Sequence, residues 1–228
     1  MTNEKGIQGR LIEETPIAVL DFETTGLSPG GDRVIEISVV RRDPGQRPRL
    51  VFDTLVNPRR RVAATHVHGI RDAEVAEAPA FEEIAGDLVE VLSGCVLSAY
   101  NVYFDIRFLE YELALAGVNR IPPHFCLMYL RPMLGLGDRC RLDAACACHG
   151  ITLEAARYHS AAADTVASGE LLELCLERIE SKGLKTFGDL AKLRSSYKFL
   201  QSFAMDPLPG PAAFHLTPSK RCHPRTTS

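Results

Sequence analysis

Long apolar runs are missing from this chain of 228 residues. None approaches the roughly 20 residues that a membrane-spanning helix needs. The opening MTNEKGIQGR lacks the apolar core of a signal peptide, so the expected setting is the cytoplasm and no membrane partner is expected. The seven cysteines have no regular spacing, and an odd number without a framework argues for reduced thiols rather than disulfides. Cys95, Cys126 and Cys175 read as core fillers. The cluster Cys140, Cys146, Cys148 and His149 has no second CxxC to complete it. A CxC pair on a helix also points its thiols about 160° apart, which argues against zinc. A positive net charge is missing as well: at −3, the chain does not suit gripping duplex DNA through its backbone alone. Internal repeats are absent.

What remains is an ordinary globular composition, 46% hydrophobic and 24% charged, and a length that fits one well-packed domain with a tail. The expected divisions are an N-terminal extension over 1–15, the main domain over 16–180, a helical extension over 181–205 and a flexible tail over 206–228. The tail follows from its prolines and lack of periodicity. Charge is uneven along the chain. From Ser181 onward Lys182, Lys185, Lys192, Arg194, Lys198, Lys220, Arg221 and Arg225 are set against only Asp189 and Asp206, which fits either contact with phosphates or a partner, or a basic solvated tail.

Three β-rich runs open the main domain at 16–22, 33–41 and 50–56. Ser28-Pro29-Gly30-Gly31 and Asp43-Pro44-Gly45 separate them, a pattern that predicts an antiparallel meander. Helical spacing follows at 81–92, a short buried strand at 95–99 and a helix over 104–116. Pro122 and Pro123 then break the chain, ahead of helices at 142–148, 162–179 and 187–200. A meander followed by interleaved strands and helices predicts an α/β fold, a mixed sheet with helices packed on it.

Two carboxylates stand out in IAVLDFETTGL. Side chains alternate along a strand, so Asp21 and Glu23 share a face with Ile17 and Val19. Two like charges that close repel, and desolvation raises their pKa further unless a cation offsets both effects. Oxygen ligands select a hard ion, Mg2+ or Mn2+. An isolated DxE also fits a strand running into a solvated turn at Thr24, Thr25 and Gly26. Asp105, in SAYNVYFDIRFL, falls in the first turn of its helix with Asn101 as the cap, on the inward face with Phe108, Leu109 and Leu113. Glu112 shares that face, and an acid at a helix N-terminus also suits the dipole, so Asp105 alone decides nothing. Asp164, in YHSAAADTVASGELLELC, falls near the buried stripe of Ala167, Leu171, Leu174 and Cys175, where a carboxylate needs a partner. His159 sits on the loop before that helix. There it fits a proton acceptor for water or an ordinary surface residue.

Together Asp21, Glu23, Asp105, Asp164 and His159 resemble the motif set of the DEDDh exonucleases, the DnaQ-like branch of the ribonuclease-H-like superfamily. DFETTGL matches the first motif, NVYFDIRFL the second, and HSAAAD the HxAxxD pattern of the third, with weaker support from His68-Gly69-Ile70 and CRLDAACACHGI. The resemblance spans residues 16–179. Tyr100 departs from the histidine that many members carry before the asparagine, and Ser160, four before Asp164, excludes the sister branch with YxxxD.

The resemblance implies a ribonuclease-H-like fold and a metal-dependent 3'-5' exonuclease that releases nucleoside monophosphates from single-stranded or frayed DNA ends, in proofreading or repair. RNA is the alternative substrate, because contacts to the 2'-hydroxyl leave no short motif. Two divalent cations, Mg2+ or Mn2+, would be bridged by Asp21. Glu23 and Asp164 would hold the ion that carries the nucleophile, Asp105 would hold or orient the other, and His159 would be the general base. Thr25, Gly26 and Leu27 would approach the terminal nucleotide, with Leu27 and Phe104 flanking its base, although Phe104 also fits a core position. His68 and Asn101 complete the implied substrate contacts. A reading of another class makes the chain a subunit that docks on a DNA polymerase or sliding clamp through its C-terminal segment, where LQSFAM at 200–205 faintly resembles a clamp-binding peptide.

Overall fold

The structure is a computed structural model that describes residues 6–63, 65–153, 160–194 and 197–218. Its first strands form as the β-branched runs predict: β1 is Ile17–Thr24, β2 is Val34–Arg42 and β3 is Arg49–Leu55. Two short helices follow, α1 (Thr65–His68) and α2 (Asp72–Val75), then α3 (Phe81–Leu92), β4 (Val96–Ala99) and α4 (Val102–Leu115). The second half carries β5 (His124–Cys126), α5 (Leu127–Leu134), α6 (Leu142–Cys148), α7 (Ala161–Ser181) and α8 (Phe187–Leu193).

The sheet runs β3-β2-β1-β4-β5. β1 pairs antiparallel with β2, and β2 with β3, which is the predicted meander, whereas β4 lies parallel to β1 and β5 parallel to β4. Helix pairs α3–α4 and α5–α7 cover it, and β1 is buried from Ile17 to Leu20, so both faces of the central strand are covered. Burial of that kind requires an apolar residue at every position rather than at alternate ones. No described helix is long and apolar enough to cross a membrane.

Three stretches differ from the sequence reading. Residues after Pro123 build β5 and α5, neither of which the sequence predicts. β5 is only three residues long, and Pro132 inside α5 reads as a breaker. It forgoes one N–H donor, and burial of Leu127, Leu130 and Leu134 outweighs that loss. The helix predicted over 187–200 ends at Leu193, because Arg194 is extended at φ −162° and ψ 88°. The chain then forms a 3-10 helix, Lys198–Ala204, that turns Phe199, Leu200 and Phe203 into the core. The predicted flexible tail is packed as far as it is described. Leu208 is buried and its carbonyl accepts from the Gly94 N–H at 2.9 Å. The carbonyl of Thr217 passes Gly86 of α3 so closely that a Cβ there would meet it at 2.6 Å. Residues 219–228 lie outside the described residues.

The two terminal extensions hold each other. Ile7 N–H donates to the Phe203 carbonyl and Ile12 N–H to the Lys185 carbonyl, both at 2.9 Å, with both isoleucines buried. Leu200 and Phe203, the apolar residues a clamp-binding peptide would present, belong to this chain's own core.

Candidate active site

β1 outruns its parallel neighbour. β4 covers it only from Ile17 to Val19, so the last residues of β1 lack a strand on that side, and a side chain takes over. Asp105 Oδ1 accepts from the Phe22 N–H at 3.2 Å. Asp105 sits in the first turn of α4 and is 3% exposed. Asn101 takes the N-cap position, as predicted, but is exposed and makes no side-chain cap hydrogen bond.

On the other side of β1, Asp21 faces Ser38 and Glu23 faces Glu36 across the antiparallel pair. Like charges directly opposite on a sheet are unfavourable unless something compensates. Part of the compensation for Glu36 is a backbone donor, because its Oε2 accepts from the N–H of Ala161, the first residue of α7, at 3.0 Å. Ser160 caps the same helix, its Oγ accepting from the Ala163 N–H at 3.3 Å. These two contacts fix where α7 begins and bring Asp164, in its first turn, into the electrostatic field of Asp21 and Glu23. Asp164 is half-buried, at the margin of the stripe on which Ala167, Leu171 and Cys175 are fully buried.

Three separate elements thus bring acids to the end of β1. Burial first, then Asp105, Glu23, Asp164 and Glu36, hold the Asp21 carboxyl well above the usual carboxylate range. Glu23 is pushed up to about 8 by burial and by Glu36, Asp164 and Asp105. Burial raises Asp105 to about 7 against the pull of the N–H groups of its own residue and of Phe22. An all-oxygen donor set under mutual repulsion suits a hard divalent cation. The acids do not close on a single point as they stand: among the described residues, no three acids, histidines or cysteines sit near enough together to ligate one ion, so binding would have to draw the carboxylates inward.

A pH dependence follows. An acid whose pKa is raised on folding keeps its proton longer in the folded state, so the stability it contributes is present at low pH and is lost as pH rises through the folded pKa. For Glu23 that window runs from 4.5 to about 8. In chelator, the melting temperature should therefore fall across this window, and added Mg2+ or Mn2+ should raise it most at the upper end, where fewer protons have to be displaced. Calorimetric melting at several pH values with and without the cation checks both trends. A cation-induced shift that shrinks towards high pH would contradict the site.

Glu36 is the acid that the sequence reading missed. The signal was present in VIEIS, a carboxylate in an apolar strand, which is the reasoning already applied to Asp21. Glu36→Ala leaves the buried Ala161 N–H without its acceptor and should cost about 1–3 kcal/mol in denaturant unfolding, whereas Glu36→Gln keeps an acceptor and should cost less.

The turn after β1 is fixed by Asp32. The Thr25 hydroxyl donates to Asp32 Oδ1 at 3.1 Å, and the Ser28 N–H donates to Oδ2 at 3.0 Å. A Cβ on Gly26 would strike that carboxylate at 2.6 Å, so the glycine makes room for the clamp. Leu27, in the turn that follows β1, projects outward and is 78% exposed. Phe104 is half-buried with its ring 5.1 Å from that of Phe108. His68 is engaged within its own loop: Nδ1 accepts from the Ile70 N–H at 3.1 Å and Nε2 lies 3.0 Å from the Ala63 carbonyl. His159 lies outside the described residues.

A mixed five-stranded sheet with acids at the end of its central strand defines a ribonuclease-H-like fold. The model of the family described as Exonuclease (RNase_T) matches residues 18–172, and the chain belongs to that family. A DNA polymerase III subunit epsilon-like protein of Rhodobacter capsulatus is 40% identical over 187 residues, covering 78% of this chain and 27% of its own length. The chain thus spans about a quarter of that relative. Among solved structures, a 3'-exonuclease described in 3'-end specific recognition of a histone mRNA stem-loop aligns with a TM-score of 0.60 at 15% identity, over 72% of this chain and 66% of that one. E. coli Exonuclease I in complex with a dT13 oligonucleotide aligns at 0.57 and 19%, over 74% of this chain and 42% of that one.

Proposed function

We propose that this protein is a 3'-5' exonuclease that releases nucleoside monophosphates from single-stranded or frayed DNA ends, in a proofreading or repair setting. The observation that carries the reading is the convergence of Asp21, Glu23, Asp105 and Asp164, from three elements, on one mutually repelling site. Membership of the exonuclease family and similarity to an epsilon-like protein support it.

Asp21 and Glu23, with Asp105 and Asp164, would hold two Mg2+ or Mn2+ ions. Bound there, such cations neutralise charge on the scissile phosphate and make water a stronger nucleophile at neutral pH. Asp105 fixes the end of β1 through the Phe22 N–H, which keeps Asp21 and Glu23 in register with α4. As the attacking water's oxygen bonds to phosphorus, His159 accepts its proton. The bond from phosphorus to the 3' oxygen of the penultimate nucleotide breaks, that oxygen takes a proton from solvent to leave a 3'-hydroxyl, and the terminal nucleotide departs as its 5'-monophosphate. Leu27, exposed in the turn that follows β1, offers an apolar surface to the terminal base, and Phe104 lies in the same helical turn as Asp105.

Polymerase association, which the name of the Rhodobacter relative suggests, belongs to the same reading. It would have to use a surface other than LQSFAM, whose Leu200 and Phe203 are buried. The test is chromatographic detection of released mononucleotides from DNA and RNA strands of one sequence, with Mg2+ or Mn2+. Faster release from DNA is expected. Faster release from RNA would make the substrate an RNA end, and release from neither would sink the nuclease reading.

A further inference from the structure

Four aromatic rings from three parts of the chain form a continuous patch. Tyr103 belongs to the first turn of α4, Tyr129 to α5, and Tyr197 and Phe199 to the C-terminal extension. Tyr103 meets Tyr129 edge-on at 5.8 Å between centroids, Tyr129 meets Tyr197 edge-on at 5.0 Å, and Tyr197 stacks on Phe199 at 5.7 Å. Phe199 is buried and anchors the group, whereas the three tyrosines are half-buried and keep part of their surface open to solvent.

Two exposed arginines lie against these rings. The guanidinium of Arg139 is 5.1 Å from the Tyr129 centroid and donates to its hydroxyl at 2.9 Å. That of Arg194 is 5.3 Å from the Tyr197 centroid and donates to its hydroxyl at 3.3 Å. Among the described residues neither arginine pairs with a carboxylate, although the chain has more acids than bases. An aromatic cluster that only filled the core would need no cations at its rim. Arginines held on ring faces with their charge unneutralised suit a ligand that offers both flat π surfaces and anions.

Position narrows the ligand. β4 and β5 run parallel to β1, and α4 and α5 start just after them, so Tyr103 and Tyr129 sit at the same edge of the sheet as the acids at the end of β1. The patch therefore lies at the carboxylate edge of the sheet, on the β5 side, and leads towards the C-terminal extension packed on β5. Bases stack on aromatic side chains without regard to sequence while cations track the phosphates, which is how single strands are held.

We propose that this patch binds the nucleotides upstream of the 3' end in a single-stranded polynucleotide, so that the C-terminal extension is part of the substrate path. The inference rests on the exonuclease reading for the placement of the 3' end. It also gives Arg194 of the C-terminal extension a purpose that does not require a partner protein.

Fluorescence anisotropy of a labelled single strand of about 15 nucleotides, DNA or RNA, in chelator so that nothing is cleaved, tests the patch directly. Arg139→Glu/Arg194→Glu should weaken binding about tenfold or more and flatten the salt dependence by roughly 0.7 for each phosphate that is no longer neutralised. Lys182→Glu/Lys185→Glu, at the far end of α7, carries the same charge change and should alter both far less. Tyr197→Leu should weaken binding about tenfold, the loss of one stacked base, while Tyr197→Phe should retain it. Wild-type affinity in the Arg139/Arg194 variant, or equal losses in the two charge-reversal pairs, would overturn the proposal. The DNA and RNA arms tell which strand the platform prefers. Binding is read without turnover, so a wild-type protein that grips strands through the patch yet never shortens them with Mg2+ or Mn2+ would sink the exonuclease reading and leave the platform standing.

Discussion

Asp21→Asn is expected to abolish nucleotide release and, in chelator, to raise the melting temperature. Both effects come from one cause. Burial and four neighbouring acids act on Asp21, so in the absence of cations its ionised form is unfavourable. Asparagine has nearly the same volume and cannot ionise, so the substitution relieves the repulsion without opening a cavity. The same change removes a carboxylate to which the proposed function assigns the cations. Because a bound cation supplies several kcal/mol of charge stabilisation to the transition state, the rate should fall on the order of 10^3-fold or more. Mononucleotide release over time and calorimetric melting of the same sample check the pair. A variant that loses activity and also melts lower in chelator would mean that Asp21 is a structural residue.

Glu112→Ala is expected to produce the largest loss of stability. Glu112 is 1% exposed, and both of its oxygens bind Arg33, from Nε and from a terminal nitrogen, each at 2.7 Å. Oε1 also accepts from the Val34 N–H at 3.3 Å. Removing the carboxylate strands a half-buried guanidinium and a buried N–H. The change is expected to cost about 2–4 kcal/mol, less than for a fully buried pair because Arg33 keeps part of its surface in solvent. The pair ties α4 to the start of β2, so part of the loss should reach the site through Asp105 on the same helix. Denaturant unfolding measures it, and Arg33→Met/Glu112→Leu should recover much of the difference, because apolar replacement of both partners removes the stranded charge. A Glu112→Ala midpoint equal to that of the parent would show that the ion pair contributes nothing net.

The same helix shows where sequence reading stops. Asp105 and Glu112 fall on one face of α4, and spacing alone cannot separate them. Their partners do: Phe22 is 83 residues from Asp105, and Arg33 is 79 residues from Glu112. The meander and the helices at 81–92 and 142–148 were legible because local periodicity and turn residues specify them. β5, α5 and the end of α8 were not, since each is short and is stabilised by burial against distant elements rather than by its own propensity. The tail looked disordered from its prolines, yet Leu208 and Thr217 find places beside α3 that composition cannot reveal. Within the site, the acids were legible as charges where a strand or helix stripe should be apolar. His68 was not, because its two nitrogens are engaged by backbone groups of Ala63 and Ile70, which a motif does not record.

The central claim is that the acids at the end of β1 cut a nucleic acid strand one nucleotide at a time from its 3' end. A time course on 5'-labelled single-stranded DNA with Mg2+ or Mn2+, using the wild type and Asp21→Asn side by side, tests it most directly. A ladder that shortens stepwise from the 3' end in the wild type, disappears in chelator and is absent in the variant is the expected result. Internal cuts, a ladder that survives in the variant, or an intact strand under every cation would contradict it.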